Sequence, residues 1–251
     1  MATSIHRRKF FGAAGVVTVG AAIAACSSND GGTAASSNGG GPAAPTTTSF
    51  TPRPPITTPQ AALEELRQGN ERYLRSEMNN PGADHEARVH VAEKQEPFAV
   101  ILSCADSRVP PEILLDQGFG DLFVVRVAGN IVGRSELGSI QYAVEHLHTP
   151  LIATVGHAAC GAVGAAVDVA DGGSRPGGAV DDIVDHILPA VQKAKTEPGD
   201  DLMTKAIQVN ARQSRDQLLA DPLIAGKVKE DKLKVIAAYY ALDNGRFVVL
   251  D

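Results

Sequence analysis

Cysteine is scarce in this chain: its 251 residues include three, at positions 26, 104 and 160. Three thiols so far apart cannot form the even-numbered framework that staples small secreted domains, so each has to be read for its own chemistry. Long apolar runs are also missing. The uncharged stretch 12–25 falls short of the roughly 20 residues that a membrane-spanning helix needs. There is no basic patch interleaved with aromatics, and the formal net charge is −6. Nucleic-acid binding therefore has no support, and the acidity argues for solubility rather than for any one partner. No internal repeat is found, so the chain is read as an ordinary domain and not as an array. What remains is a 43% hydrophobic share, enough to build a substantial core in one domain of moderate size or two small ones.

The first residues look like an address. Arg7 and Arg8 are followed by Lys9-Phe10-Phe11 and then by the small, uncharged segment Gly12 to Ala25. The segment reads as the apolar part of a signal peptide, and the paired arginines resemble a twin-arginine export signal. The run closes Ile23-Ala24-Ala25-Cys26, which resembles a bacterial lipobox, whose cysteine is lipid-modified and begins the mature protein. An ordinary secretory signal with a chance cysteine is the alternative. Residues 1–26 are thus expected to be a signal peptide with lipidation at Cys26, giving an exported, membrane-anchored protein facing the periplasm or the cell exterior. Because one acyl chain binds a membrane only marginally, stable anchoring needs more than one. Residues 27–59 are rich in Ser, Gly, Thr, Ala and Pro; they bury too little to offset their ordering entropy and are expected to form a tether.

From residue 60 to 251 the pattern is that of a folded domain. Thr58-Pro59 reads as an N-cap followed by proline at the first helical position, and Leu63, Leu66, Tyr73 and Leu74 recur at helical spacing to about Ser76. Phe98 to Ser103, Leu122 to Val127 and Leu151 to Val155 are short apolar runs, as expected of buried strands. Helices are expected over 135–148, 161–169, 180–195 and 202–219, and a last strand pair over 235–240 and 247–250 around Asp243-Asn244-Gly245. Strands alternating with helices predict an α/β fold with a mainly parallel central sheet flanked by helices. Ligands of such sheets sit beyond the carboxyl ends of the strands. Cys104 follows the first run and His157 the third, so segments 104–108 and 157–160 can converge at one edge.

The residues at that edge carry metal chemistry. His157-Ala158-Ala159-Cys160 supplies an imidazole and a thiol on one turn, and Cys104 supplies a second thiol. Zinc favours such ligands, and catalytic sites often keep three protein ligands plus water. A histidine and a cysteine three apart is a weak sign by itself, more often a core imidazole and a small buried thiol. The second segment strengthens it: Asp106 and Arg108 put a carboxylate and a guanidinium two residues apart beside Cys104.

Taken together, these segments resemble the beta-class carbonic anhydrases. The resemblance is carried by Cys104-Ala105-Asp106-Ser107-Arg108-Val109-Pro110-Pro111-Glu112, by Asp116-Gln117-Gly118, by the run from Asp121 to Asn130, by Gly138 to Leu147, and by Gly156-His157-Ala158-Ala159-Cys160-Gly161. It spans residues 60–251, with the C-terminal half matching only in general character. It implies one zinc ion per subunit on Cys104, His157 and Cys160, and hydration of CO2 to bicarbonate and a proton by attack of zinc-bound hydroxide. It also implies Asp106 and Arg108 as a catalytic dyad, with Asp106 becoming a fourth ligand in a closed state if the pair breaks. Gln95, Phe123 and Tyr142 are implied as substrate-binding residues. Ala128 stands where some members carry a larger aliphatic residue. Tyr142 and His146, four apart on one helix face, are a possible proton relay, with simple packing and exposure as the equal alternative. Some pocket residues of the family come from a neighbouring subunit, so a homodimer or homotetramer is expected, with the helix from 60 to 76 embracing its partner. A carbonyl sulfide or carbon disulfide hydrolase on the same fold is the nearest alternative, and a non-catalytic zinc or redox module pairing Cys104 with Cys160 is the more distant one.

Overall fold

A computed structural model describes residues 53–79 and 84–250. The signal segment 1–26 with Cys26, and the tether up to residue 52, lie outside the described residues. Five strands form one sheet: β1 (Ala99–Ser103), β2 (Leu122–Arg126), β3 (Leu151–His157), β4 (Lys234–Tyr240) and β5 (Phe247–Val249). Their order is β2-β1-β3-β4-β5. The first four are parallel, and β5 returns antiparallel to β4, pairing Phe247 with Tyr240. The mainly parallel sheet and the terminal strand pair are as the sequence predicts. β1 and β3 are buried along their whole length, which explains why they read as continuous apolar runs and not as alternating ones.

Helices cover both faces. α1 (Pro59–Leu74) starts where expected, with Thr58 Oγ1 accepting from the Ala61 N–H at 3.3 Å. Two further short helices that apolar periodicity did not reveal follow at α2 (His85–His90) and α3 (Pro111–Leu114). α4 (Arg134–His146), α5 (Gly161–Ala170), α6 (Val180–Thr196) and α7 (Leu202–Leu219) match the expected helices to within a few residues. α4 stops before the expected end at 148 because His148 adopts a left-handed φ of 55°. α8 (Pro222–Lys229) is an additional helix too short to show an apolar period, although Asp221 caps it and Pro222 opens it.

Two apolar clusters lie on opposite faces of the sheet. One joins Ala62, Leu63 and Leu66 of α1 to Ile101, Ala153 and Ile236 of the sheet and to Ile187 and Val191 of α6. The other joins Val100, Leu102 and Ile152 to Ile140 and Val144 of α4 and to Leu218 and Ile224. α1 therefore lays its apolar face on its own chain, and any contact with a partner falls to its polar face. The folded body also begins earlier than residue 60. Arg53 pairs with Glu65 at 3.0 Å and with Asp121, and its guanidinium stands 5.0 Å over the Phe98 ring. No helix of the described residues is long and apolar enough to cross a membrane.

Candidate metal centre and neighbouring groove

The sheet order reverses between β1 and β3, because the chain leaves β1 toward β2 on one side and later returns to the other. Such a switch point opens a crevice at the carboxyl ends of the strands, and both expected segments lie there. Cys104 directly follows β1, His157 ends β3, and Cys160 caps α5. The ligand atoms of Cys104, His157 and Cys160 all lie within 4.8 Å of one another, and all three residues are buried. The two sulfurs are 4.0 Å apart, close to the spacing of about 3.8 Å that two thiolates take on one tetrahedral zinc.

The imidazole is prepared for a metal. His157 Nδ1 faces the Ala158 carbonyl at 2.9 Å, and a carbonyl can only accept, so Nδ1 carries the proton. That leaves Nε2 as the lone-pair nitrogen. Nε2 is buried with no hydrogen-bond partner, a costly state for a polar atom unless something else occupies its lone pair. The sulfurs are equally primed. The neighbouring Cys160 thiol holds the Cys104 thiol below its ordinary range against the opposing effect of burial, with the Gly129 N–H assisting. The same contact, together with burial, pushes Cys160 up. A pair that holds one proton between two sulfurs is one that a dication converts into two thiolates. The donor set thus fits zinc on chemistry as well as spacing.

Asp106 stands beside this cluster without joining it. Arg108 grips it with Nε to Oδ1 at 2.9 Å and Nη2 to Oδ2 at 2.7 Å, and the Arg108 backbone N–H adds a third bond to Oδ1 at 2.9 Å. These bonds hold the Asp106 carboxyl well below the usual carboxylate range. Its Oδ2 remains 4.0 Å from His157 Nε2. The paired arrangement is therefore the one observed, and not ligation by Asp106. Arg108 is itself tied to the Ala159 carbonyl at 3.2 Å, which links the two metal-bearing segments.

Three supports were not assigned a role from the sequence. Arg126, at the end of β2, donates to the carbonyls of Cys104 and Asp106 and so braces the loop that carries both. Gly129 donates its N–H to Cys104 Sγ at 3.3 Å from the short turn Ala128–Asn130. Its φ is 73°, and a Cβ there would meet Ile187 Cδ1 at 2.6 Å, so only glycine fits. Asn210 and Ser214 of α7 hold the carbonyls of that turn. Arg126 and Gly129 lie within a quoted motif, but only the fold could say what they touch. Ala128 opens the same turn and so lies on the metal side.

The other expected residues gather elsewhere. Gln95, Tyr142 and His146 line one surface groove with Val91, Lys94, Leu147 and His148, and none of the metal-centre residues lines it. Phe123 meets Tyr142 with ring centroids 6.3 Å apart, and Tyr142 meets His146 at 5.1 Å. Phe123 pairs with Val100, four residues before Cys104, so it lies roughly 13 Å down the strands from the metal end. Within one chain, Gln95, Phe123 and Tyr142 form a unit of their own, half exposed along the β2 edge.

An open parallel sheet with two thiols and an imidazole at its switch point, beside a clamped carboxylate, defines a single-metal enzyme centre built to activate water. Comparison with known proteins narrows this to one family. The carbonic anhydrase family model matches residues 99–247. Carbonic anhydrase 2 of Mycobacterium tuberculosis strain H37Rv is 39% identical over 198 residues, covering 78% of this chain and 95% of that protein. The carbonic anhydrase of Mycolicibacterium smegmatis is 38% identical over 197 residues, covering 76% and 93%. Among solved structures, a tetrameric beta-carbonic anhydrase from the ascomycete Sordaria macrospora matches with a TM-score of 0.59 and 26% identity, over 64% of this chain and 84% of that one. The chain belongs to the beta-carbonic anhydrase family.

Proposed function

We infer that this chain is a carbonic anhydrase, a zinc lyase that interconverts carbon dioxide with bicarbonate and a proton. The observation that carries the reading is the buried cluster of Cys104, His157 and Cys160 with Asp106 clamped at its margin. Zinc held there would lower the pKa of a water from 15.7 to about 7, as it does in carbonic anhydrases with another ligand set. Cys104 and Cys160 supply the two negative charges that balance the metal, and His157 binds through the nitrogen that its Ala158 contact leaves unprotonated. Asp106 stays ionised and acceptor-only, so it orients the attacking water by accepting its hydrogen. Arg108 keeps that carboxylate out of the ligand sphere through two parallel bonds.

The substrate side of the reading needs a second copy. Gln95 serves as hydrogen-bond donor, and Phe123 and Tyr142 line the apolar wall, but all three lie away from the metal of their own chain. A homodimer, or a tetramer as in the Sordaria protein, brings this groove to a partner's centre. The half-exposed apolar run Leu122–Val125 on the β2 edge supports such pairing, because bare apolar edges invite it. Tyr142 and His146 then pass the released proton to solvent. Export through the paired arginines, followed by lipidation of Cys26, would hold the enzyme at a membrane. A twin-arginine route carries folded proteins, so the metal can occupy Cys104 and Cys160 before they meet an oxidising compartment.

The purified chain should contain one zinc per subunit and hydrate CO2 in a stopped-flow indicator assay, with Asp106→Ala retaining zinc and losing rate. A full zinc complement without hydration overturns the reading, and sulfide release from carbonyl sulfide or carbon disulfide in its place assigns the site to hydrolysis of those substrates. For the anchor, the full chain expressed in a bacterial host should sediment with membranes and Cys26→Ser should not; equal partition of both overturns lipidation.

A further inference from the structure

α7 comes close to the metal centre without contributing a ligand. Two of its buried polar residues, Asn210 and Ser214, lie four apart on one helix face. Asn210 Nδ2 donates to the Gly129 carbonyl at 2.7 Å, and Ser214 Oγ donates to the Asn130 carbonyl at 2.8 Å. The turn they hold is a tight one: Gly129 and Asn130 are both left-handed, with φ of 73° and 45°, a conformation that glycine adopts freely and asparagine tolerates better than most residues. The turn's outcome is a single directed group: the Gly129 N–H that donates to Cys104 Sγ at 3.3 Å. A continuous line of contact therefore runs from α7, through two carbonyls, to the sulfur.

The burial pattern says what Asn210 is for. The residue is fully buried, yet its Oδ1 has no hydrogen-bond partner. An apolar side chain of similar volume would fill the same space without leaving a buried acceptor unpaired. What the amide does that leucine would not is to hold the Gly129 carbonyl.

We propose that Asn210 and Ser214 are positioning residues of the metal centre, which pin the 128–130 turn so that the Gly129 N–H stays on the Cys104 sulfur. The inference rests on Cys104 being a metal ligand. An N–H on a ligating thiolate draws electron density from the sulfur and fixes its direction, which is how outer partners tune a metal site. Without the clamp the N–H swings away and the sulfur lone pairs rise in energy, while the sulfur, no longer held in direction, loosens as a ligand.

The test uses the whole chain loaded with cobalt(II) in place of zinc, and reads the near-ultraviolet sulfur-to-cobalt charge-transfer band. The zinc form is assayed in parallel for its affinity against a competing chelator. Asn210→Leu should move the band to longer wavelength and weaken zinc binding about tenfold. Ser214→Ala should do the same to a smaller extent, and decides the matter alone if Asn210→Leu does not fold. Leu218→Ala serves as control: it is a fully buried α7 residue in the cluster on the other face of the sheet, and should lower the melting temperature while leaving the band in place. If the folded Asn210→Leu or Ser214→Ala protein keeps the parent band and zinc affinity, or changes only in melting temperature as the control does, the clamp is refuted. A parent that shows no thiolate band overturns the metal reading itself, which is a separate result.

Discussion

The molecule has two functional halves that are built in opposite ways. The metal half is buried, cross-braced and complete within one chain. Cys104, His157 and Cys160 come from adjacent strand ends, and Arg108, Arg126, Gly129 and Ala158 each fix one of the reacting or ligating groups. The groove half, made of Gln95, Phe123, Tyr142 and His146, is open. Phe123, Tyr142 and His146 meet through ring contacts of 6.3 and 5.1 Å, and Tyr142 is 48% exposed. The difference teaches that the cluster able to hold a metal is complete within one chain, whereas Gln95 and Tyr142 line a groove apart from it. Under the proposed function, zinc binding and turnover are then separable, and the substrate wall waits for a second copy.

The largest expected effect breaks the metal half. His157→Ala or Cys160→Ser should lose zinc, measured by metal analysis, and should fall to background hydration, about four orders of magnitude, because water then keeps its ordinary pKa. Retained stoichiometric zinc in either variant would mean that the ligand set is misassigned. The next effect leaves the metal and disturbs its neighbour. Arg108→Lys keeps the charge but cannot make two parallel bonds to Asp106. Hydration should fall about a hundredfold, the scale of a misplaced catalytic group, with zinc content unchanged. An Arg108→Lys enzyme of parental rate would remove the dyad from the mechanism.

The comparison itself is put at risk by Phe123→Glu. A charge on the half-exposed β2 edge should oppose pairing of copies. The variant should elute as a monomer, keep one zinc per chain and lose at least about tenfold in hydration rate. A monomer of full activity would show that one chain completes both halves. A zinc-free monomer would show that the metal half is not self-sufficient.

The two halves also differed in how far they could be read without coordinates. The ligand candidates were legible because two segments agree: a thiol and an imidazole on one turn are a weak sign alone, but a second thiol beside a paired carboxylate falls at another strand end, and the strand runs 98–103 and 151–155 announced themselves as apolar. The Asp106–Arg108 ion pair was legible from its two-residue spacing. The supports were not. Asn210 and Ser214 are ordinary polar letters within an amphipathic helix, and nothing local marks them as reaching a turn some eighty positions earlier. α2, α3 and α8 escaped because helices of one or two turns hold too few apolar positions to display a period. Arg53 was read as tether since proline-rich sequence around it predicts extension, while its bonds to Glu65 and Asp121 are long-range. Gln95, Phe123 and Tyr142 came from family resemblance and His146 from its helical spacing to Tyr142, and a single chain does not bring them to the metal centre.

The smallest expected effect lies in the groove and tests whether its aromatic and imidazole pair moves protons or merely packs. His146 is exposed and its ring lies tilted against Tyr142, with centroids 5.1 Å apart, a placement suited to handing a proton to solvent but not needed for hydration itself. His146→Ala and Tyr142→Phe should therefore lower kcat by less than about tenfold in dilute buffer, since other carriers share the task, and leave kcat/KM near the parent value. Raising the buffer concentration, or adding imidazole, should restore kcat. A packing role predicts another pattern: loss in kcat and kcat/KM together, a lower melting temperature and no response to buffer. The relay reading stands only if the deficit disappears when the solution supplies the proton carrier that the groove has lost.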